Sequence, residues 1–292
     1  MKEKSIIGVD LGGTNVRAGK VKNNRIEDLY SRQITSAGHE QKVLEEIITS
    51  IRKLFNNSVL GIGIGVPSVV DVKKGIVYDV QNIPSFKKVN LKKILEEEFK
   101  VPTYINNDAN CFVVGEKYFG AGKNYKNIVG LIIGTGLGAG LYTNGKLYCG
   151  ANCGAGEFGM LPYKDGVYED YCSGKYFANK LKTTGKEIFY KAEKGDEDAL
   201  EIFSDFGVYV GHAVSAIILA VDPEIIILGG SVSIAFKYFK ESMVQVLHKF
   251  PYQNSVKKLK IVKSNLEQIS ILGAAALYFE NHRKNLKELE IN

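Results

Sequence analysis

The sequence has little of what would mark a membrane-bound, secreted or metal-rich protein. Its longest apolar run, HAVSAIILAV ahead of Asp222, is well short of the ~20 residues that a spanning helix needs. The N-terminal stretch MKEKSIIGVDLGGTNVRAGK has a short apolar run broken by Asp10 and two adjacent glycines, which is a strand and turn rather than a secretory leader. A soluble, cytoplasmic protein is expected. The four cysteines, Cys111, Cys149, Cys153 and Cys172, contain no C-x-x-C pair, and a chain of 292 residues has no need of disulfide staples, so they are expected as reduced thiols. The four histidines, His39, His212, His248 and His282, show no ligand spacing with one another or with an acidic residue. Charge of one sign is not concentrated: 38 Lys and Arg face 32 Asp and Glu, a net +6 that is scattered along the chain. The basic stretch KKLKIVK lacks interleaved aromatics and is expected to be a solvated strand edge, so no nucleic-acid partner is expected.

With 45% hydrophobic and 24% charged residues, the composition is that of an ordinary globular protein long enough for two lobes. The opening, SIIGVDLGGTNVRAGKVKNNRIEDLYSRQIT, alternates apolar and polar residues in three runs broken by Gly12-Gly13 and by KNNR, which predicts a three-strand meander. A helix follows, with Val43, Ile47, Ile48, Ile51 and Leu54 at helical spacing; then come a buried strand VLGIGIGVP, a turn-rich stretch with Asn82, a helix near residues 91–99, a strand VPTYIN and a helix from about Asp108. At Asn127 the pattern restarts: NIVGLIIGTGLGAGLYTNGKLY lies over KSIIGVDLGGTNVRAGKVKNNRI, strand for strand and turn for turn. Two copies are too few for a solenoid, so the expectation is a duplicated two-lobed α/β fold with an interlobe cleft. The expected division is 1–118 for the first lobe and 119–275 for the second, larger one, with a terminal helix at about 276–292 returning to the first. No Pro- or Ser-rich linker separates the lobes.

Three glycine-rich turns have the chemistry of phosphate cradles. In DLGGTN, Gly12 and Gly13 let backbone N–H groups approach phosphate oxygens, Thr14 and Asn15 add side-chain donors, and Asp10 is placed to hold a hydrated Mg²⁺; a plain tight hairpin is the structural alternative. GTGLGAG occupies the matching turn of the second repeat through Gly134, Thr135, Gly136 and Gly138. LGGSVS ends an apolar strand at Gly229 and Gly230, where backbone can lie flat against an adenosine, or where Ser231 or Ser233 caps a helix. In INNDANC, Asp108 stands where a strand gives way to a helix. That position suits an N-cap, and it also suits a base that takes a proton from an alcohol during phosphoryl transfer.

In these motifs the sequence resembles the ROK family of sugar kinases and repressors, within the actin-like ATPase (ribonuclease H-like) superfamily. GVDLGGTN, GIGVPSVVD followed by NIP, INNDAN, GTGLGAG, GAGEFG, SG and ILGGSVS occur in family order across nearly the whole chain. The resemblance implies ATP-dependent, Mg²⁺-assisted phosphorylation of a hexose or amino sugar at its 6-hydroxyl, in a cleft that closes on binding, by a homodimer. It also implies Asp108 as general base, and Asn82, Asn107, Glu157 and Glu169 as contacts to sugar hydroxyls. Repressors of the family carry a helix-turn-helix ahead of this motif, and nine residues before Asp10 leave no room for one, so that reading is not expected; nor is a catalytically dead sugar sensor, since Asp108 is intact.

Family members usually read G-E-x-G-H and then carry a cysteine-rich loop, the His and three Cys binding a structural zinc. Here Met160 replaces the His, only LPYKDGVY separates it from Glu169, and the three family cysteines are absent. A thioether and the nearby Cys172 do not make a four-ligand site, so no zinc is expected. Cys149 and Cys153 match no zinc pattern and are expected to pack as small apolar residues. Met160 offers only an apolar contact, and Tyr163, Tyr168 and Tyr171 are placed to stiffen the shortened loop. Since zinc-less members resemble N-acetylmannosamine kinases, that sugar is the leading expectation, with glucokinase and then fructokinase activity as alternatives.

Overall fold

The alternating opening sequence folds as predicted, and its turns explain why. Strand β1 (Ser5–Leu11) pairs antiparallel with β2 (Asn15–Lys22), and β2 pairs antiparallel with β3 (Arg25–Gln33). Asn23 and Asn24 take positive φ values of 48° and 62°, the twist that a two-residue hairpin turn requires. These elements are seen in a computed structural model that describes residues 4–80 and 82–283. β4 (Val59–Val66) and β8 (Thr103–Asn107) extend the sheet in the order β3-β2-β1-β4-β8, with β1, β4 and β8 parallel. β1 and β4 are covered on both faces, which is why they are continuous apolar runs rather than alternating ones. A small antiparallel sheet of β5 (Val69–Asp71), β6 (Ile76–Tyr78) and β7 (Lys88–Val89) sits in the same part of the chain.

The chain divides into two compact units, and the first comprises Met1–Lys123, Lys146–Ala155 and Leu266–Asn292. Helices α1 (Glu40–Arg52), α2 (Leu91–Phe99), α3 (Asp108–Phe119) and α9 (Ile269–Asn281) belong to it, and Lys146–Ala155 opens with β11 (Lys146–Tyr148). The part of the expected returning helix beyond Arg283 lies outside the described residues. α9 packs on β1, β4 and α3, and comes so close that a Cβ built on Gly63 would overlap the Ala274 carbonyl oxygen, a backbone atom with little room to yield. Gly63→Ala is therefore expected to destabilise the protein by about 2–3 kcal/mol, the upper range for an overpacked core, measured as a fall in the urea midpoint with an unchanged slope.

The second unit, Asn124–Gly145 and Gly156–Asn265, repeats the pattern. β9 (Ile128–Ile133) pairs antiparallel with β10 (Leu137–Thr143) and parallel with β14 (Ile225–Gly229), and β14 pairs parallel with β15 (Lys260–Lys263). These are the relations of β1 to β2, β1 to β4 and β4 to β8, so the internal repeat seen in the sequence is a repeat of topology. A two-strand hairpin of β12 (Pro162–Tyr163) and β13 (Gly166–Val167) leads into the short α4 (Tyr168–Tyr171). Then follow α5 (Gly185–Glu193), α6 (Glu197–Val221), α7 (Phe236–His248) and α8 (Gln253–Lys258). By length and composition α6 would suffice to cross a membrane, with a mean hydropathy of 1.6 over its most apolar window. Half of that window is buried within the protein, and Phe203, Phe206, Val210, Val214 and Ile217 supply its inner face, packed against α7.

Candidate functional site

In the first unit the DLGGTN turn joins β1 to β2, closed by the Gly12 N–H donating to the Asn15 carbonyl at 2.9 Å. Thr14 and Asn15 are exposed, and the Asn15 amide donates to the Thr14 hydroxyl at 3.1 Å. Gly13 is pressed against Asn82: a Cβ on it would collide with the asparagine side chain, so the structure brings this predicted sugar residue directly to the predicted phosphate turn. Asp10, at the end of β1, is paired across the hairpin with Arg17, whose Nε lies 3.1 Å from Oδ2 and whose Nη2 also bonds it. Arg17 is held in turn by Gln268 Oε1 at 3.3 Å and Ser270 Oγ at 3.0 Å. Sequence reasoning missed Arg17. The signal was present in the hairpin register, which sets residue 17 opposite residue 10 once the turn is placed.

β8 runs directly into α3, and here the structure settles the capping question against Asp108. The N-cap is Asn107, whose Oδ1 accepts from the Asn110 N–H at 2.8 Å, while Asp108 is the first helical residue and accepts from the Ala109 N–H at 2.8 Å. Asn106, buried at the end of β8, braces the junction: its Oδ1 accepts from the Asn107 N–H and from Asn110 Nδ2, both at 2.9 Å. The Asp108 side chain stays accessible, yet protein crowds it closely enough that desolvation pushes its pKa above the ordinary 3.8. The Ala109 N–H opposes that shift, and the negative charge of Asp10 adds to it. A carboxylate freed from capping, with raised basicity and a helix N-terminus behind it, has the properties of a proton acceptor.

In the second unit GTGLGAG forms the β9–β10 turn, with the Gly134 N–H donating to the Gly136 carbonyl at 3.0 Å, Thr135 exposed, and Gly138 within β10 opposite Ile132. Gly229 ends β14 opposite Ile132, and Gly230, at φ 84°, opens the 3₁₀ turn Ser231–Ala235. A Cβ on Gly230 would strike the Ile133 backbone, so the two glycine motifs abut. Neither Ser231 nor Ser233 caps a helix: the N-caps of the 3₁₀ turn and of α7 are Gly230 and Ala235, without side-chain bonds, and the Ser233 hydroxyl donates to the Gly230 carbonyl at 2.7 Å.

Glu169 lies under the same turn. Its Oε2 accepts from the Leu137 N–H at 2.8 Å, and its Oε1 takes the Lys175 ammonium at 2.6 Å, which raises the lysine's pKa. Ser173 donates to the carbonyls of Thr135 at 3.1 Å and Glu169 at 2.7 Å, and the Gly174 N–H reaches the Gly134 carbonyl at 2.7 Å. The Ser-Gly pair and the glutamate therefore act as the underside of the glycine turn, a role that the sequence reading did not foresee. Glu157 is exposed and precedes the 3₁₀ turn Phe158–Met160; the flanking Gly156 and Gly159 let that segment lie on the backbone of β10 at Ala139 and Leu137. Met160 is 50% exposed.

The shortened loop is ordered by rings. Tyr163 stacks on Tyr168 at 4.5 Å between centroids and meets Tyr171 edge-on at 5.3 Å, while Tyr209 of α6 joins Tyr171 at 5.3 Å and Tyr176 at 5.4 Å. Lys164, at the hairpin tip with φ 52°, turns its ammonium back over the Tyr209 ring at 4.1 Å and Tyr171 at 5.1 Å. Burial pushes the Tyr163 hydroxyl up to about 12 and raises the pKa of Cys172, a thiol wholly enclosed beneath the loop. Among the described residues no three His, Cys, Asp or Glu side chains gather into a group that could hold a metal ion.

Comparison with known proteins places this geometry. A family model described as ROK family matches residues 6–281. The chain belongs to the ROK family. A glucokinase from Thermotoga maritima is 30% identical over 318 residues, covering 96% of this chain and 99% of that protein. Among solved structures, a ROK glucokinase from Streptomyces griseus in complex with glucose and AMPPNP superposes with a TM-score of 0.77 at 25% identity, covering 94% of this chain and 98% of that one. A candidate N-acetylmannosamine kinase from Listeria monocytogenes does so with a TM-score of 0.79 at 26% identity, covering 96% and 100%. The two-unit α/β fold expected from the motifs is thus that of the ROK sugar kinases.

Proposed function

We propose that this ROK-family sugar kinase transfers the γ-phosphoryl group of ATP to the 6-hydroxyl of an N-acetylhexosamine, with N-acetylmannosamine as its first choice and glucose as the alternative. The observation that carries the reading is Asp108: the neighbouring Asn107 caps α3, so the carboxylate is left for chemistry, and its pKa is raised toward the range of a useful base. Asp108 takes the proton of the 6-hydroxyl, the oxygen attacks the γ-phosphorus, and ADP leaves. Asn82, Asn107 and Glu157 would receive sugar hydroxyls. Glu169 would do so with one carboxylate edge while the other supports the glycine turn.

The phosphates would lie against the backbone N–H groups of Gly12, Gly13, Gly134 and Gly136, with Thr14, Asn15 and Thr135 adding hydroxyl and amide donors, and the adenosine against Gly229 and Gly230. The Asp10 carboxylate is the hard oxygen donor that suits a hydrated Mg²⁺ held mainly by the nucleotide, and Arg17 fixes its orientation. When bound, the ion neutralises charge on the transferring phosphoryl group. An acetamide is favoured over a bare hydroxyl because Met160 offers an exposed thioether where a histidine would offer a polar ring, and the similarity to the Listeria protein supports the same choice. Coupled ADP release should be measured across N-acetylmannosamine, N-acetylglucosamine, glucose, mannose and fructose. The highest kcat/KM is expected for N-acetylmannosamine; a tenfold preference for glucose would reverse the assignment within the class, and no sugar-dependent ADP release would remove it.

A further inference from the structure

Two thiols in the first unit are unused by the kinase chemistry, and they do not merely pack. Cys149 and Cys153 do join the first unit's apolar core, as small residues were expected to. Their sulfurs, however, converge on one polar side chain. Asn106 Nδ2 lies 3.4 Å from Cys149 Sγ, and Asn106 Oδ1 lies 3.3 Å from Cys153 Sγ and 4.0 Å from Cys149 Sγ. The segment that carries them folds back on itself, the Ala155 N–H donating to the Cys149 carbonyl at 3.2 Å, and Cys153 sits at a left-handed φ of 59°. Both cysteines line a cavity of about 800 Å³, whose wall also carries Lys73 and the ion pair of Lys74 with Asp71, so a small solute can reach sulfur. The Cys149 thiol, and after it the Asn107 and Val70 N–H groups and the Asn110 amide, hold the Cys153 pKa down to about 7 against the effect of burial. Asn110 Nδ2 is 3.6 Å from that sulfur. A lowered pKa, an opening to a cavity and a second thiol held on the same asparagine are the attributes of a redox-reactive cysteine rather than of a structural one.

We propose that Cys149 and Cys153 form a peroxide-reactive dithiol that closes to a disulfide and thereby loosens the Asn107–Asp108 junction. The Cys153 thiolate attacks one oxygen of hydrogen peroxide; the O–O bond breaks, water leaves after protonation, and a sulfenic acid remains. The Cys149 sulfur then displaces that hydroxyl as a second water, so two thiols give up two protons and two electrons to the peroxide and one S–S bond forms. Both sulfurs already lie against the Asn106 side chain, and bonding at about 2.05 Å draws them together. Closing the bond moves both sulfurs where they meet Asn106, whose Oδ1 also accepts from the Asn107 N–H and Asn110 Nδ2 at the start of α3. The modification is thereby coupled to the position of Asp108.

The test uses the full chain, reduced, freed of reductant and exposed to hydrogen peroxide at pH 7 and pH 8. The tryptic peptide 147–164, which holds both cysteines, is expected to lose 2 Da, with dithiothreitol restoring it. C149S should stop at a sulfenic acid, captured with dimedone because Met160 shares the peptide and can itself gain oxygen. C153S should show at least a tenfold slower loss of the remaining thiol. Absence of the 2 Da loss under peroxide that fully oxidises glutathione, linkage to Cys111 or Cys172 instead, or wild-type kinetics in C153S overturns the dithiol. The coupling to Asp108 rests on the proposed kinase function and is read separately: oxidised protein should turn over sugar at least tenfold more slowly, with recovery on reduction. An unchanged rate in fully oxidised protein overturns the coupling. Should reduced protein phosphorylate no sugar, the kinase assignment fails while the mass measurement still decides the thiol chemistry, and near-ultraviolet circular dichroism of the two redox forms then decides the coupling, identical spectra overturning it.

Discussion

Asp108→Asn should cut kcat by about a thousandfold, within the 10²–10⁴ range that a positioned general base contributes, while leaving the sugar KM within a few fold. The amide keeps the shape of the side chain and can still accept from the Ala109 N–H, so the start of α3 survives and only proton acceptance is lost. The pH dependence follows from the direction of the shift. Desolvation first, and then the Asp10 charge, raise the Asp108 pKa above 3.8, so the active, ionised form is lost as pH falls through that raised value. The acid limb of kcat/KM in the wild type should therefore lie above pH 3.8, and it should vanish in the variant. Stability has the opposite sign. A folded state that binds this proton more tightly than the unfolded chain is penalised by the ionised carboxylate at neutral pH, so the neutral asparagine should melt at the same temperature or higher. A variant that lost activity together with several degrees of Tm would point to a damaged helix start instead, and one with wild-type turnover would remove Asp108 from the reaction.

What the sequence made legible here was local. The alternation in residues 5–33 and the paired asparagines of KNNR specify a hairpin without help from the rest of the chain, and the same pattern from Asn127 specifies its repeat. Asp108 was visible because the strand VPTYINN ends in two asparagines, which mark the point where strand gives way to helix. Its neighbour's duty was not, since a one-residue change of helix phase decides whether Asn107 or Asp108 caps, and propensity ranks the two as near equals. Contacts between distant segments were beyond reach altogether. Nothing in INNDAN announces that Cys149 and Cys153, some forty residues on, will share Asn106, and nothing in LPYKDGVY announces Tyr209 on a helix well downstream.

The loop is held by aromatic packing: Tyr163, Tyr168, Tyr171, Tyr176 and Tyr209 meet in edge and stacked contacts, with the ammonium of the exposed Lys164 over the Tyr209 ring. Each such ring pair contributes about 0.5–1.5 kcal/mol beyond burial, so the loop's order rests on the set rather than on one contact. Four helical residues, Tyr168–Tyr171, then deliver Glu169 beneath the glycine turn.

That arrangement makes Glu169 the second position of large effect. Glu169→Ala should lower kcat/KM by about a hundredfold or more and raise the KM for ATP and for sugar together, because one carboxylate serves two clients. Its removal leaves the Leu137 N–H without the acceptor now 2.8 Å away and deprives Lys175 of its ion pair, in a position where the glutamate side chain is 15% exposed. An orphaned, largely enclosed donor costs about 1–3 kcal/mol, so the β9–β10 turn should loosen and Tm should fall by several degrees. Glu169→Gln separates the two duties: its amide oxygen still accepts from Leu137, which should keep Tm and the ATP KM near wild type, whereas the lost charge should raise the sugar KM alone. If Glu169→Ala instead raised only the sugar KM, the carboxylate would be a plain substrate contact, and the glycine turn would stand without it.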